Sequence, residues 1–451
     1  MLLLTDGTVM VQQYQTGNWW RLTPDNTGSY ANGTWSHMGA MPAGYAPEYF
    51  GSAVLPDGRV ITMGGEYNGA GGPPSDKGAI YNPITDTWST VSPPTGWTGI
   101  GDAQTVVLAN GKFMLAQALQ KIGTNIYCGG SRAALLNPTT LTWQATGTGK
   151  ASSDGCPYDE QGWTLLPDGQ VLTVDTWRTT PATKAEVYTP STGAWTSAGN
   201  TPSVLGDTHG EMGPAVLRPN GTVFATGASG SNAVYQTTTN AWSAGPSFPV
   251  IGGLQYDIAD GPSAVLPNGD VLSGAGPGYA NQPEHFFDFN GTSLLQVTDP
   301  PGAASLSTYY TYMLVLPTGQ VLCRLGGALE LYTGSGSPLS TWRPKITTVP
   351  TTLAHGATYT VSGRQLNGLT QGAYYGDNYQ SASNYPLVRI TNTSTHHVFY
   401  ARTAGMTSMS VQPGASSSAQ FTLPASIETG ASTLSVVANG VASPSKSVTI
   451  T

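Results

Sequence analysis

Val54-Leu55-Pro56-Asp57-Gly58-Arg59-Val60-Ile61-Thr62-Met63-Gly64-Gly65 is an apolar run, a turn and a second apolar run. Asp-Gly supplies the positive φ that a tight hairpin needs, so the two runs are expected to pair as antiparallel strands through a two-residue turn. The pattern occurs seven times, with turn glycines at Gly7, Gly58, Gly111, Gly169, Gly221, Gly269 and Gly319. Their successive spacings are 51, 53, 58, 52, 48 and 50 residues. A period of about fifty is the length of a four-stranded propeller blade, so the chain predicts a seven-bladed β-propeller. A second mark falls later in each repeat, where an aromatic or apolar residue is followed by a bulky one: Tyr81 and Trp88, Leu136 and Trp143, Tyr188 and Trp195, Tyr235 and Trp242, Phe287 and Leu294. The first and last repeats stretch this interval, from Leu22 to Trp35 and from Tyr332 to Trp342. These pairs predict the third and outer strands, with each Trp wedged between neighbouring blades.

At 451 residues the chain accommodates one large all-β domain and a smaller one. Only 9% of residues are charged, against roughly 25% in ordinary soluble domains. With 17 basic and 25 acidic residues the net charge is −8 and no Lys/Arg cluster offers a phosphate track, which argues against nucleic acid as a partner. No apolar stretch approaches the ~20 residues of a membrane span. Met1-Leu2-Leu3-Leu4 runs directly into the first hairpin. The start therefore reads as truncated or processed, with a leader and half of the first inner strand expected upstream. Cys128 and Cys156 lie in loop-like segments and are expected to form a disulfide, with two free thiols as the alternative; Cys323 falls in an apolar strand and reads as core. Sequons at Asn32, Asn220, Asn290 and Asn392 fit an extracellular glycoprotein, although Asn220-Gly221 is also a hairpin turn.

After Trp342 the period fails. Residues 1–342 are therefore expected to form the propeller and 343–451 a second domain. Ala357-Thr358-Tyr359-Thr360-Val361, Leu387-Val388-Arg389-Ile390 and Thr433-Leu434-Ser435-Val436-Val437 alternate as strands do, and suggest an immunoglobulin-like sandwich.

In a propeller the residues just before each innermost strand emerge at one rim around the axis. Counting back from the turn glycines places Glu48, Tyr49, Asp102, Asp159, Glu160, Glu211, Asp257, Asp260, Tyr309 and Tyr310 there, with Trp163 and His209 nearby. Carboxylates that converge repel one another unless they hold a cation, share protons or meet hydrogen-bond donors. They could bind calcium or another hard cation, with Asp102, Glu160, Glu211 and Asp260 as ligands. They could also bind sugar hydroxyls beside Trp163 and the tyrosines, work as a general acid and base, or cap backbone N–H groups of neighbouring strands. Candidates for catalytic work are Tyr49, Tyr309, Glu160 and Glu211. No Ser-His-Asp order, HExxH, P-loop or CxxC motif is present.

The repeats with Gly-Gly strand ends, followed by a sandwich opening on Arg343-Pro344-Lys345-Ile346, resemble the kelch propellers of the galactose oxidase and glyoxal oxidase family over nearly the whole chain. Gln371-Gly372-Ala373-Tyr374-Tyr375-Gly376-Asp377 and Ser383-Asn384-Tyr385-Pro386-Leu387-Val388-Arg389 are similar to the C-terminal module of bacterial kelch proteins. The resemblance implies one copper ion, two tyrosines, two histidines and a cysteine cross-linked to one tyrosine. It sets Tyr49 at the radical tyrosine and Tyr309 at the second tyrosine, while Tyr310 replaces a histidine. Thr395-His396-His397 resembles the Thr-His of the second domain that reaches down the axis, which would make His396 or His397 a copper ligand. The cross-linking cysteine would lie upstream of Met1. Losing an imidazole removes the ligand type that Cu(II) prefers, so Tyr49 and Tyr309 are expected to wall a pocket. The expected function is an extracellular propeller that binds a glycan, polyol or cation at an acidic mouth, with calcium favoured over copper. The alternatives are a divergent copper radical oxidase or another carbohydrate-active enzyme, and a self-associating subunit of an extracellular matrix or filament.

Overall fold

The computed structural model describes residues 1–130, 132–147, 149–150, 158, 160–175, 183–375 and 380–451. Seven antiparallel sheets follow one another in chain order as the blades of a β-propeller. Their innermost strands are Leu2–Leu3, Gly51–Val54, Thr105–Val107, Thr164–Leu165, Ala215–Leu217, Ser263–Val265 and Thr311–Val315. Blades 1 to 6 have four strands of their own; blade 7 has three, followed by a 3-10 turn at Ser340–Trp342. Among the described residues no helix is long and apolar enough to cross a membrane.

The seven turn glycines all lie at φ between +79° and +86°. Each hairpin has three loop residues rather than the expected two. The glycine N–H donates to the carbonyl three residues back, as in Gly58 to Leu55, and the next residue pairs with that same position, as Leu55 N–H does with Arg59 O. This is a type I turn closed by a left-handed glycine bulge, so only the glycine needs positive φ. The preceding side chain has a different task. Asp6, Asp57, Asn110, Asp168, Asn220, Asn268 and Thr318 each accept the backbone N–H of the residue after the glycine. A short acceptor followed by glycine is therefore what every turn requires.

Tyr81 and Trp88, Leu136 and Trp143, Tyr188 and Trp195, Tyr235 and Trp242, and Leu22 and Trp35 are cross-strand partners. In blade 6 Leu294 faces Phe289, not Phe287, because that outer hairpin is shorter. Trp143 Nε1–H donates to Ser92 O of blade 2, and Trp242 Nε1–H to Ala198 O of blade 4, so these rings join adjacent blades. Cys128 is disulfide-bonded and Cys323 is a free, buried thiol; Cys156 lies outside the described residues.

From Lys345–Thr348 onward the chain forms a curled, β-sandwich-like domain, in which Val398–Ala404 pairs with both Leu387–Asn392 and Ser416–Thr422. Val361, Ile390, Phe421, Leu434, Val436 and Val448 fill it, continuous with Leu2, Leu3 and Val9 of blade 1. The domain sits on the turn face of the propeller. Thr403 N–H donates to Thr5 O, Met406 N–H to Pro56 O and Met409 N–H to Ala109 O, one contact for each of the first three blade turns. From this domain a hairpin, Gly372–Tyr374 with Gln380–Ala382, enters the propeller and adds to the innermost strand of blade 6, with Ser263 opposite Tyr374 and Ala264 opposite Ala373. Gln371 Oε1 accepts the N–H of Leu165 in blade 4, and Tyr385 Oη–H donates to Leu3 O in blade 1.

The domain contact explains why Gly7 tolerates no side chain. A Cβ there would meet Tyr400 Cγ at 2.5 Å, whereas one at Gly169 would meet nothing nearer than 3.8 Å. Gly169→Ala is therefore expected to lose only the left-handed backbone cost of about 1 kcal/mol, and Gly7→Ala that cost plus about 1–3 kcal/mol of overpacking. Urea unfolding of the two variants checks the difference.

Candidate functional site

Opposite the docked domain, the chain turns from the outer strand of one blade into the inner strand of the next. Tyr49, Glu160 and Asp260 make this turn with φ of +46°, +54° and +49°, a region costly for residues with side chains. Gly101 and Gly210 hold the left-handed conformation immediately before Asp102 and Glu211. The connections into the inner strands bring side chains of six blades to the axis. Tyr49, Asp102, Glu160, Glu211, Asp260 and Tyr309 line one cavity of about 300 Å³.

Besides Ala280, four further residues at this cavity escaped the sequence reading. Glu66, Tyr67 and Tyr279 follow the second strands of blades 2 and 6, which return to the same rim, and Tyr375 arrives on the inserted hairpin. The glycines at Gly64-Gly65 and Gly276-Pro277-Gly278 were the available signal for the first three. Nothing local in the sequence marks Tyr375. Tyr49 and Tyr309 also wall an adjoining groove of about 430 Å³ with Tyr14, Trp20, Tyr310 and Tyr312. Tyr309 and Tyr310 lie with ring centroids 4.1 Å apart, and Arg324 lies 5.7 Å from the Tyr14 ring and 5.2 Å from that of Tyr312.

Glu160, Glu211 and Asp260 each present an oxygen within 4.8 Å of the others. Glu211 is only 7% exposed, and its Oε2 meets no N–H or O–H donor among the described residues. Its close polar neighbours are the carboxyls of Asp260 and Glu160, which can donate only when protonated. Burial holds the Glu211 and Glu66 carboxyls above the usual range, with the Asp207 charge adding to the effect on Glu211 and the Glu211 and Glu48 charges to that on Glu66. Burial and the surrounding carboxylates push the Tyr279 phenol up to about 12. Burial likewise drives the Tyr49 phenol far above its ordinary value.

Other expected site residues lie elsewhere. Trp163 is buried within blade 4 against Tyr158 and Trp195, so it offers no face to a ligand. Glu48 is buried beside the cavity and accepts from Gln15 Nε2 at 3.2 Å. Asp257 caps the Ala259 N–H, and burial pushes its carboxyl up to about 7. His209 is an exposed residue at the rim, stacked on Tyr279 and paired with Asp207. Asp159 lies outside the described residues. His396 and His397 sit on the surface hairpin between Asn392 and Val398, where His397 contacts Asn26 and Glu428. They do not reach the axis, because Gln371–Tyr375 is the segment that does. Among the sequons Asn32, Asn220 and Asn290 are exposed. Asn392 is 4% exposed with its amide N–H donating to Thr429 O, so unlike the other three it does not present its amide to a glycan.

Among the described residues lining the cavity none is a histidine or cysteine, so the donors do not fit the copper centre that the family resemblance implies. A clustered set of carboxylate and phenol oxygens fits a hard cation.

No protein-family model matches the chain, and no curated protein matches it. Among solved structures 337 chains match. The structure of YjhT aligns over 65% of this chain and 98% of its own length, at 14% identity and a TM-score of 0.43.

A carboxyl held above its unfolded-state value keeps its proton more tightly when folded, so it withdraws stability as pH rises through that interval. In chelator Glu211→Gln is therefore expected to unfold at a higher temperature than wild type near pH 8, with the gap closing toward acid. Calorimetry across pH provides the check.

Proposed function

We propose that the axial mouth binds a hard divalent cation, calcium by its chemistry, and through it a hydroxylated ligand such as a glycan or polyol. The observation that carries this reading is Glu211 Oε2, buried beside Glu160 and Asp260 without a donor among the described residues. An ion removes the repulsion that burial imposes on these groups. Calcium takes six to eight oxygens, so the three carboxylates leave positions open for water or for paired sugar hydroxyls. The groove beyond Tyr49 and Tyr309 is walled by Trp20 and Tyr310, whose rings suit the apolar side of a sugar ring.

In this reading 1–342 is a kelch-type binding propeller and 343–451 an immunoglobulin-like domain that closes its channel. Export to an extracellular location is supported by the disulfide-bonded Cys128 and the exposed Asn32, Asn220 and Asn290.

Calorimetric titration of the metal-free protein with calcium is expected to give saturable binding at one site, weakened by about tenfold or more in Glu211→Gln and unchanged in Tyr310→Ala. A glycan array read with calcium and with chelator then tests the second half, with Tyr310→Ala expected to lower glycan binding alone. Absence of calcium binding in the wild type would remove the proposal.

A further inference from the structure

Blade 4 buries a reactive set of groups that the mouth does not use. Lys150 Nζ lies against Asp175 Oδ1 and Gln161 Oε1, and Glu186 Oε2 is 3.9 Å from it. The Lys150 and Asp175 side chains are 0% exposed, and that of Glu186 is 4% exposed. The Tyr158 ring centroid stands 5.5 Å from Nζ, and Tyr158 packs with Trp163 and Trp195 in an aromatic box. The topology fixes these partners. Asp175 directly follows the second strand, Val171–Val174; Glu186 lies on the third, Lys184–Thr189, opposite Thr173; Lys150 comes from the segment leading into the blade. Thr173 Oγ1–H donates to Gln161 Oε1 at 3.3 Å, and the Asp175 N–H donates to Lys184 O, so both flanks of the contact are held.

An amine, a carboxyl carbon and a second carboxyl thus meet where water is excluded. One ammonium and two carboxylates in such a place carry a desolvation cost that their attraction does not fully offset. Joining the amine to one carboxyl removes two of the three charges. We propose that Lys150 and Asp175 are joined by an isopeptide bond that forms in the folded chain, with Glu186 as the proton carrier.

The step balances within these side chains. A proton passes from the Lys150 ammonium to the Asp175 carboxylate, which leaves a neutral amine and a carboxylic acid. The Nζ lone pair attacks Cγ of Asp175. Glu186 takes a proton from nitrogen and delivers it to the hydroxyl on Cγ, which departs as water. The C–O bond is broken, the C–N bond is formed, and Glu186 returns to its starting state. Gln161 Oε1 accepts the single N–H of the amide. The bond closes the loop 150–175, which carries Glu160, and so anchors one wall of the mouth.

The experiment is intact-mass analysis of the reduced, unglycosylated full chain, followed by trypsin mapping. The expected mass is one water below that of the sequence. The tryptic peptide 133–178 should be uncut at Lys150 and carry the whole deficit. A second protease that cuts inside 150–175 should leave the two halves joined. Glu186→Ala and Asp175→Ala are expected to show the full sequence mass and cleavage after Lys150. Because the wild-type mass needs no variant, misfolding of either one leaves the test intact. A wild-type chain at full mass and cut after Lys150 overturns the proposal and leaves an ion pair. A water loss mapped to an Asp-Gly step would be succinimide formation and overturns it equally.

Discussion

Ser263 and Ala264 pair with Tyr374 and Ala373, and this short ladder at the propeller axis is the constraint on which the mouth depends. Seven twisted sheets arranged in a ring leave a channel, and a channel lined by innermost strands would expose unpaired backbone groups at its wall. The hairpin from the C-terminal domain satisfies part of that wall and carries Tyr375 to the acidic residues. The pocket has a floor because the domain docks on the opposite face, where Tyr400 lies over Gly7 and Thr403 reaches Thr5. Docking and pocket depth are one structural fact seen from two ends.

The site built on that floor is costly to the folded chain. Three residues hold left-handed backbone with full side chains, and Glu211 is buried among other carboxylates. Strain and like-charge burial in one place, within a chain whose charged fraction is only 9%, suit a site that is completed by a ligand. The tyrosines complement this arrangement. Burial drives the Tyr49 phenol further above its ordinary value, so it is a hydrogen-bond donor and an apolar face at once even in alkaline solution.

The fold was legible because its information is local and periodic. A short acceptor before each turn glycine and an aromatic pair across each outer hairpin recur with the blade, and both have direct structural causes. The error in turn length arose because Asp57 and its equivalents act through their side chains, not through positive φ. The rim carboxylates were legible for the same periodic reason, since each precedes an innermost strand. Glu66 and Tyr279 follow second strands, so symmetry between the two ends of a hairpin would have found them. Tyr375 was out of reach, because its place is set by a domain contact more than a hundred residues from its strand partner. Trp163 and the His396-His397 pair misled for the converse reason: their neighbours in sequence resemble a site, while packing turns Trp163 inward and sets the histidines on a surface hairpin.

The central claim is that the carboxylates of the mouth are gathered to hold an ion. Its most direct test is diffraction from crystals grown with calcium near neutral pH, with the ion located by its anomalous signal. One peak is expected at the axis, with oxygens of Glu160, Glu211 and Asp260 at about 2.4 Å. A mouth without a peak, in which Glu211 shares a proton with Glu160 or Asp260, would contradict it, as would calcium found only at another place on the molecule.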